Sequence, residues 1–191
     1  MKVHTKKFST IIILSLLAFI VTFSVCSAQD ARGPRRSGKS EIYGIVQTLD
    51  GYTGLNDDGV KWGLDDGYAY GIGVGYNATD HFNINMDLAF DSQDVFYKKE
   101  NIGSMHALIW NVNLDYNISK GPLTPLVSGG MGFATYSDEG PRGTEFTYNI
   151  GAGGRWDISD KVFMKVTYRK AWFPDNDYDQ DGIFLGIGYM F

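Results

Sequence analysis

The last ten residues of the chain, 182–191, read GIFLGIGYMF and decide the fold. Because side chains alternate between the two faces of an extended strand, the odd-numbered residues from Ile183 to Phe191 share one face. That face is bulky and apolar, whereas the opposite face is smaller and carries Gly186 and Gly188. Chain ends are poorly ordered in water unless they are tied down. An aromatic end of this kind therefore predicts a final strand that is paired along both edges.

Residues 1–28 have the features of a cleavable secretory signal. Three lysines precede an apolar run, 8–25, which ends at Cys26-Ser27-Ala28, with small residues at the two positions that a signal peptidase inspects. A retained membrane helix and a lipoprotein anchored through Cys26 are the alternatives. Val25, directly before that cysteine, is larger than a lipidation site normally tolerates. We therefore predict a mature chain that starts at Gln29.

The composition excludes several functional classes. Removing the signal takes away three of the 17 basic residues and none of the 22 acidic ones, so the formal net charge changes from -5 to -8. This balance is the opposite of the basic footprint of a nucleic-acid-binding domain. The single cysteine, Cys26, leaves with the signal, so we expect no disulfide, thiol nucleophile or cysteine-based metal site. No later segment has the roughly 18 consecutive apolar residues that a membrane helix needs, so any membrane crossing is made by strands.

The rest of the chain reads as a short arm followed by strands. Residues 29–40 (QDARGPRRSGKS) are polar and lack periodicity, which predicts a flexible arm. From Glu41 to Phe191 strand-length segments alternate with turn signals, and helical periodicity is absent. The eight predicted strands are 41–49, 67–77, 82–91, 104–116, 123–136, 145–156, 162–173 and 182–191.

Three tight connections between these strands share one pattern. Tyr76-Asn77-Ala78-Thr79-Asp80 is followed, at intervals of 40 residues, by Tyr116-Asn117-Ile118-Ser119-Lys120 and Trp156-Asp157-Ile158-Ser159-Asp160. An aromatic residue, then Asn or Asp, then Ser or Thr two residues on, is typical of a capped turn that follows an interfacial ring. The connections after the first, third, fifth and seventh strands are longer and rich in Asp, Gly and Asn. Short turns at one end and long loops at the other are typical of a bacterial outer-membrane barrel.

Most predicted strands set a bulky apolar face against a small or polar face. The third strand, for example, opposes Phe82, Ile84, Met86, Leu88 and Phe90 to Asn83, Asn85, Asp87 and Ala89. Alternation alone does not identify the inner face, because a soluble lipocalin-like barrel would reverse it. However, the interior of an eight-stranded barrel is only wide enough for side chains to fill, and the bulky set contains too many rings for that space. We therefore predict that the small and polar set is inside and that the bulky set faces lipid.

The first strand does not follow this rule clearly. Placing Gly44, Val46 and Thr48 inward leaves Gln47 toward lipid, and the orientation of this strand stays open.

The C-terminal strand closely resembles the terminal strand of bacterial outer-membrane barrels, in which a final Phe and an earlier aromatic residue form the signal that the barrel assembly machinery reads. Phe191 and Tyr189 match these positions. From Glu41 onward the chain resembles the small barrels of outer membrane proteins A, W and X. The resemblance implies an all-β fold, an eight-stranded antiparallel up-and-down transmembrane β-barrel, in the outer membrane of a Gram-negative bacterium. The arm 29–40 would then lie in the periplasm.

The same resemblance implies the partners. We expect contacts with outer-membrane lipid and lipopolysaccharide, transient contact with the barrel assembly machinery, a monomer, and no nucleic acid. Outer membrane protein A also carries a peptidoglycan-binding domain after its barrel, and we do not carry that anchoring role over.

The predicted interior holds charges of both signs. They are Asp87, Asp115, Arg155, Lys165 and Arg169. Since an unpaired charge is costly where there is no bulk water, these residues are expected to pair and plug the lumen, as in the similar interior of outer membrane protein A. This favours a structural or surface-interaction role. The alternative is a narrow, porin-like conduit whose ion pairs switch partners.

The long loops are acidic, and the last one suggests a cation site. Asp177-x-Asp179-x-Asp181-Gly182 matches the opening of a calcium-binding loop, in which alternate carboxylates converge on the ion. The twelfth position is Gly188 in a strand, where such loops have a bidentate Glu, so a solvated acidic loop without any cofactor is the competing interpretation. A third is that these carboxylates share divalent ions with lipopolysaccharide phosphates, with Lys170 contacting phosphate directly.

We expect no enzymatic activity, although some barrels of this size modify lipid A. Ser104 and His106 lie near the predicted outer rim, close to Glu100. Their Ser-x-His order is the reverse of the His-x-Ser order of the lipid A deacylase family, and no third catalytic group is evident. A lipid A-modifying enzyme is therefore only the third alternative, after a structural or surface-interaction role and a narrow conduit.

Overall fold

The computed structural model describes residues 35–55, 61–98, 100–137, 143–174 and 178–191. The predicted signal, 1–28, and the first part of the predicted arm, 29–34, lie outside these ranges. Within them the regular structure consists of strands, and no helix is long and apolar enough to cross a membrane. The strands are β1 (Ser40–Leu49), β2 (Tyr52–Leu55), β3 (Lys61–Leu64), β4 (Gly67–Asn77), β5 (Phe82–Tyr97), β6 (Glu100–Asn117), β7 (Leu123–Ser137), β8 (Gly143–Asp157), β9 (Val162–Phe173) and β10 (Tyr178–Met190).

Eight of these strands close into one antiparallel barrel. The order β1-β4-β5-β6-β7-β8-β9-β10 returns to β1, so every barrel strand is paired on both sides. The backbone of Phe191 exchanges two hydrogen bonds of 2.9 Å with Ser40, which ties down the aromatic chain end. The eight-stranded barrel and the doubly paired final strand are therefore confirmed.

The end of the barrel opposite the tight turns, called the loop side below, contains more β-strand than the sequence predicts. β2 and β3 form a hairpin within the first long connection, and β3 continues the sheet by pairing with the end of β5. β5 extends to Tyr97 and β6 begins at Glu100. The prediction of a long connection after the third predicted strand is therefore wrong. The register of the β5–β6 ladder shifts between Val95 and Phe96, and the pairing continues beyond this irregularity to Tyr97 and Glu100. As a result, the sheet β2-β3-β5-β6 projects beyond the barrel, on the side opposite the tight turns.

The bulky set lies on the outer surface, as predicted. Tyr68, Ile72 and Phe90 are 67%, 57% and 54% exposed. Outward rings gather in two groups, near the turns (Tyr76, Phe82, Tyr116, Trp156, Tyr189) and toward the loops (Tyr70, Phe90, Trp110, Phe133, Phe146, Tyr148). Two aromatic groups that flank an apolar band are the girdles of a membrane-spanning barrel.

Strand β1 differs from its neighbours because some of its larger side chains point into the barrel. Tyr43 and Ile45 are buried inside the barrel, and Gly44 and Val46 face outward. Tyr43 fits because its register partners on β4 and β10 are glycines, Gly73 and Gly188. This answers the orientation that the sequence left open. Phe163 of β9 and Phe184 of β10 are also buried inside, so the prediction of a small and polar interior is wrong at these positions.

Candidate functional site: the barrel interior

Arg155 organises the interior next to the turns. Its Nη1 donates to Glu41 Oε2 at 2.9 Å, and its Nε donates to Asp157 Oδ1 at 2.8 Å. All three side chains are at most 1% exposed. The guanidinium also lies 4.3 Å from the ring centroid of Phe163. Charges this deep are stable only when paired and hydrogen-bonded, and this geometry meets both conditions.

Arg36, from the predicted arm, closes this end of the barrel. Its Nε donates to Asp157 Oδ2 at 2.6 Å, and its Nη2 donates to the carbonyl of Gly121 at 2.7 Å. Its Nη1 reaches the carbonyls of Asp80 and Ser119, both at 3.3 Å. One side chain, 1% exposed, thus joins residues at all three tight turns. A guanidinium can do this because it carries five N–H donors.

The backbone of the arm is held in the same place. The N–H groups of Arg36 and Ser37 both donate to Asp80 Oδ1 at 3.0 Å. The bond from Ser37, with that from Arg36 and the charge of Lys120, outweighs partial burial and holds the pKa of Asp80 below its ordinary value. The prediction of a flexible arm is therefore wrong for residues 35–40, because one buried cation and one carboxylate fix them to the turns.

A second layer of ion pairs lies in the middle of the barrel. Lys165 Nζ is 3.1 Å from Asp115 Oδ2, and Arg169 Nη1 is 3.1 Å from Asp87 Oδ2. The hydroxyl of Tyr43 donates to Asp87 Oδ1 at 2.6 Å. Both cations also lie 4.2 Å from a ring centroid, Lys165 over Tyr43 and Arg169 over Phe184. The inward aromatic residues therefore help to hold the buried charges.

The structure places all five predicted interior charges inside the barrel, each with a partner of opposite charge. Sequence reasoning missed Glu41, Asp157 and Arg36. Asp157 carried a usable signal, since it is two residues from Arg155 and shares its face of the strand. No local sequence signal identifies Glu41 and Arg36 as interior residues, because their contacts come from distant parts of the chain.

The interior toward the loops is closed by buried side chains, which include the carboxyl groups of Asp91 and Glu145. Gln180 Nε2 donates to Gln93 Oε1 at 2.6 Å. Near it is a buried apolar cluster of Leu64, Met105, Ala107, Ala134, Tyr136 and Phe173. A space of ≈ 30 Å³ remains beside Arg169 and Asn149, which is enough to hold a water molecule. Apart from this space, side chains fill the lumen in the part of the chain that the structure describes.

The predicted cation site is only partly described. Asp177 lies outside the described residues. Asp179 Oδ2 contacts Lys170 Nζ, and Asp181 Oδ1 is 3.5 Å from the same nitrogen, so a lysine bridges these two carboxylates. No group of three or more His, Cys, Asp or Glu side chains in the described ranges is arranged to hold a metal ion. Calcium binding and lipopolysaccharide contact by Lys170 stay predictions.

The rim histidine does not form a catalytic pair with the nearby serine hydroxyl. Ser104 Oγ donates to Asp94 Oδ1 at 2.8 Å, and His106 is exposed on the same outer face.

The two C-terminal aromatic residues, Tyr189 and Phe191, both point outward, at 43% and 69% exposure. Their role as an assembly signal stays a prediction.

The closed barrel, with its apolar exterior and paired interior, defines a transmembrane β-barrel of the outer-membrane class. Residues 15–191 match the family "Outer membrane protein beta-barrel domain", and the chain belongs to this family. Its members are outer-membrane proteins of Gram-negative bacteria. No curated protein matches the chain.

Solved structures of outer-membrane barrels share the fold. OprG of Pseudomonas aeruginosa is 16% identical, with a TM-score of 0.62 over 85% of this chain and 99% of that one. The N-terminal barrel of OprF from the same organism is 18% identical, with a TM-score of 0.54 over 81% and 98%. Ail of Yersinia pestis, in complex with the heparin analogue sucrose octasulfate, is 18% identical, with a TM-score of 0.53 over 81% and 99%. At these identities the likeness concerns the fold alone.

Proposed function

We propose that this protein is a plugged, non-conducting barrel of the outer membrane, with a structural role and a loop side available for surface contacts. The observation that carries the proposal is the pairing of the interior cations. Arg36, Arg155, Lys165 and Arg169 are all nearly buried, and each lies within 3.1 Å of a carboxylate oxygen.

An ion crossing this lumen would meet three barriers in series. It would have to separate the pairs around Arg155, then those of Lys165 and Arg169, and then pass the apolar cluster. Breaking one buried ion pair leaves an uncompensated charge, at a cost of about 3–5 kcal/mol. Two such layers in series support a plug over an open pore.

The loop side supports the surface-contact part of the proposal. The sheet β2-β3-β5-β6 projects from the barrel, and the connections around it are acidic, with Asp50, Asp65, Asp66 and Asp179 exposed. Ail was solved with a polyanion, sucrose octasulfate. A polyanion would be repelled by the acidic loops of this chain, which favour a cationic partner.

A narrow conduit is the second candidate function, and one feature favours it. Arg169 borders the ≈ 30 Å³ space, and its buried Nε has no hydrogen-bond partner among the described residues. A guanidinium with a spare donor beside a polar space has room to exchange partners. Such an exchange would open the middle layer, but an ion would cross the lumen only if the layer of Arg155 and the apolar cluster also opened.

Conductance across planar lipid bilayers distinguishes the two functions. We expect the wild-type protein to give only rare, small openings. Replacing Arg36 and Arg169 together with alanine removes a cation from each charged layer and is expected to make these openings more frequent, while the apolar cluster keeps them brief. Replacing Lys120 and Lys161 with alanine is the matched control, because both side chains are exposed at the turns, and no change is expected. Sustained currents through the wild-type barrel would instead establish the conduit.

A further inference from the structure

A groove runs along the outer surface of the barrel over β1, with a volume of ≈ 600 Å³. Its floor is created by Gly44, which faces outward. The register places Gly44 between Ile72 of β4 and Ile187 of β10. A residue without a side chain thus lies between two branched side chains, so β1 forms a valley between two ridges.

The groove extends toward the loops. In the next outward row, Val46 lies between Tyr70 and Leu185. The ring of Tyr70 stacks on Phe90, with 6.2 Å between centroids, and this pair forms the wall at the loop end. Both rings belong to the aromatic girdle on the loop side. The groove therefore lies at the depth of the hydrocarbon core, in the membrane half nearer the loops.

The lining and the width define what fits. The lining is free of charged side chains and consists of glycine, aliphatic and aromatic residues. Neighbouring strands are about 4.8 Å apart, so the two ridges are roughly 9.6 Å apart between strand axes. A peptide segment is disfavoured here, because its backbone N–H and C=O groups would be unsatisfied in hydrocarbon. A single hydrocarbon chain satisfies both the chemistry and the width.

Van der Waals packing would hold a hydrocarbon chain in the groove. Within a membrane there is no hydrophobic driving force between apolar surfaces, so association depends on van der Waals contact. An unfilled groove with rigid walls forfeits these contacts along its whole length, whereas a chain lying in it contacts the floor and both ridges.

We propose that this groove holds one acyl chain of a lipopolysaccharide molecule, the lipid of the outer leaflet on the loop side. This binding site is on the exterior of the barrel, so it is independent of whether the lumen conducts.

Filling the groove tests the proposal. Gly44→Leu introduces a side chain where an added Cβ meets no atom within 4 Å, so the barrel can accommodate it. Gly129→Leu is the matched control, because Gly129 faces outward on β7 and an added Cβ there is 3.9 Å from its nearest neighbour, the carbonyl of Asn149. The wild type and both variants are extracted from outer membranes in mild detergent. Native mass spectrometry then counts the retained lipids, and the gel shift on boiling verifies that each barrel is folded.

We expect wild type and Gly129→Leu to retain one lipopolysaccharide molecule per barrel. Retention by Gly44→Leu should be about tenfold lower, as the loss of on the order of ten carbon–carbon contacts would give. Equal retention by Gly44→Leu would overturn the proposal. So would a retained phospholipid in place of lipopolysaccharide, or a wild-type dimer that Gly44→Leu converts to monomers, because a second copy of the chain would then occupy the groove.

Discussion

Replacing Arg155 with methionine is expected to lower the free energy of unfolding by about 3–5 kcal/mol, the cost of leaving a buried charge without its partner. Arg155 bridges Glu41 and Asp157, and both carboxylates are completely buried. Asp157 would keep Arg36, but Glu41 would lose its only recorded ion pair among the described residues. The measurement is reversible urea unfolding of the barrel in lipid vesicles, followed by tryptophan fluorescence.

Two further variants separate this effect from the loss of any cation. Lys120→Met removes a cation that is 64% exposed and 3.7 Å from Asp80, and should cost less than about 1 kcal/mol. In a Glu41→Gln background the Arg155→Met change should cost clearly less than in wild type, since the stranded carboxylate is gone. An equal cost in both backgrounds would contradict the assignment of the loss to this ion pair.

Replacing Gly73 with alanine is expected to lower the free energy of unfolding by about 3 kcal/mol, at the upper end of the cost of overpacking. An added Cβ would lie 2.2 Å from two ring atoms of Tyr43. The ring has little room to move, because its hydroxyl is bonded to Asp87 and its face lies against Lys165. The same vesicle unfolding assay measures the loss.

Gly44→Ala is the matched control for this substitution. Gly44 is next to Tyr43 on the same strand, but an added Cβ there meets no atom within 4 Å, so we expect a change of less than about 1 kcal/mol. Combining Gly73→Ala with Tyr43→Leu should cost less than the sum of the two single changes, because leucine vacates the space that the new methyl group needs. Purely additive costs would show that the clash with Tyr43 is not the cause.

Local patterns predicted the barrel and most of its inner face. Period-two alternation and the repeated turns identify eight strands, and the volume of the rings assigns their lipid-facing side. The inward face of β1 could not be assigned in this way, because the alternation of its own residues is compatible with either orientation. Gly73 and Gly188 decide in favour of Tyr43 facing inward, and they belong to strands that are distant along the chain.

The candidate site was predictable in part for the same physical reason. Arg155, Lys165 and Arg169 are charged residues within clear strand patterns, which places them in the interior. Arg36 lies in a polar stretch without periodicity, and its burial depends on the assembled turns that accept its hydrogen bonds. The extended end of β5 pairs with both β6 and β3, and the pairing with β3 has no local signal.

The central claim is that most of the large rings of this protein face hydrocarbon, while paired charges fill much of its interior. Fluorescence quenching by lipids brominated in their acyl chains tests it most directly, using single-tryptophan variants in vesicles. Trp110 is on the outer surface of the barrel, and Trp62 is in the projecting hairpin on the loop side. We predict that acyl-chain bromines quench most of the emission of Trp110 and little of that of Trp62. Trp110 emission that is insensitive to brominated lipid would contradict the account.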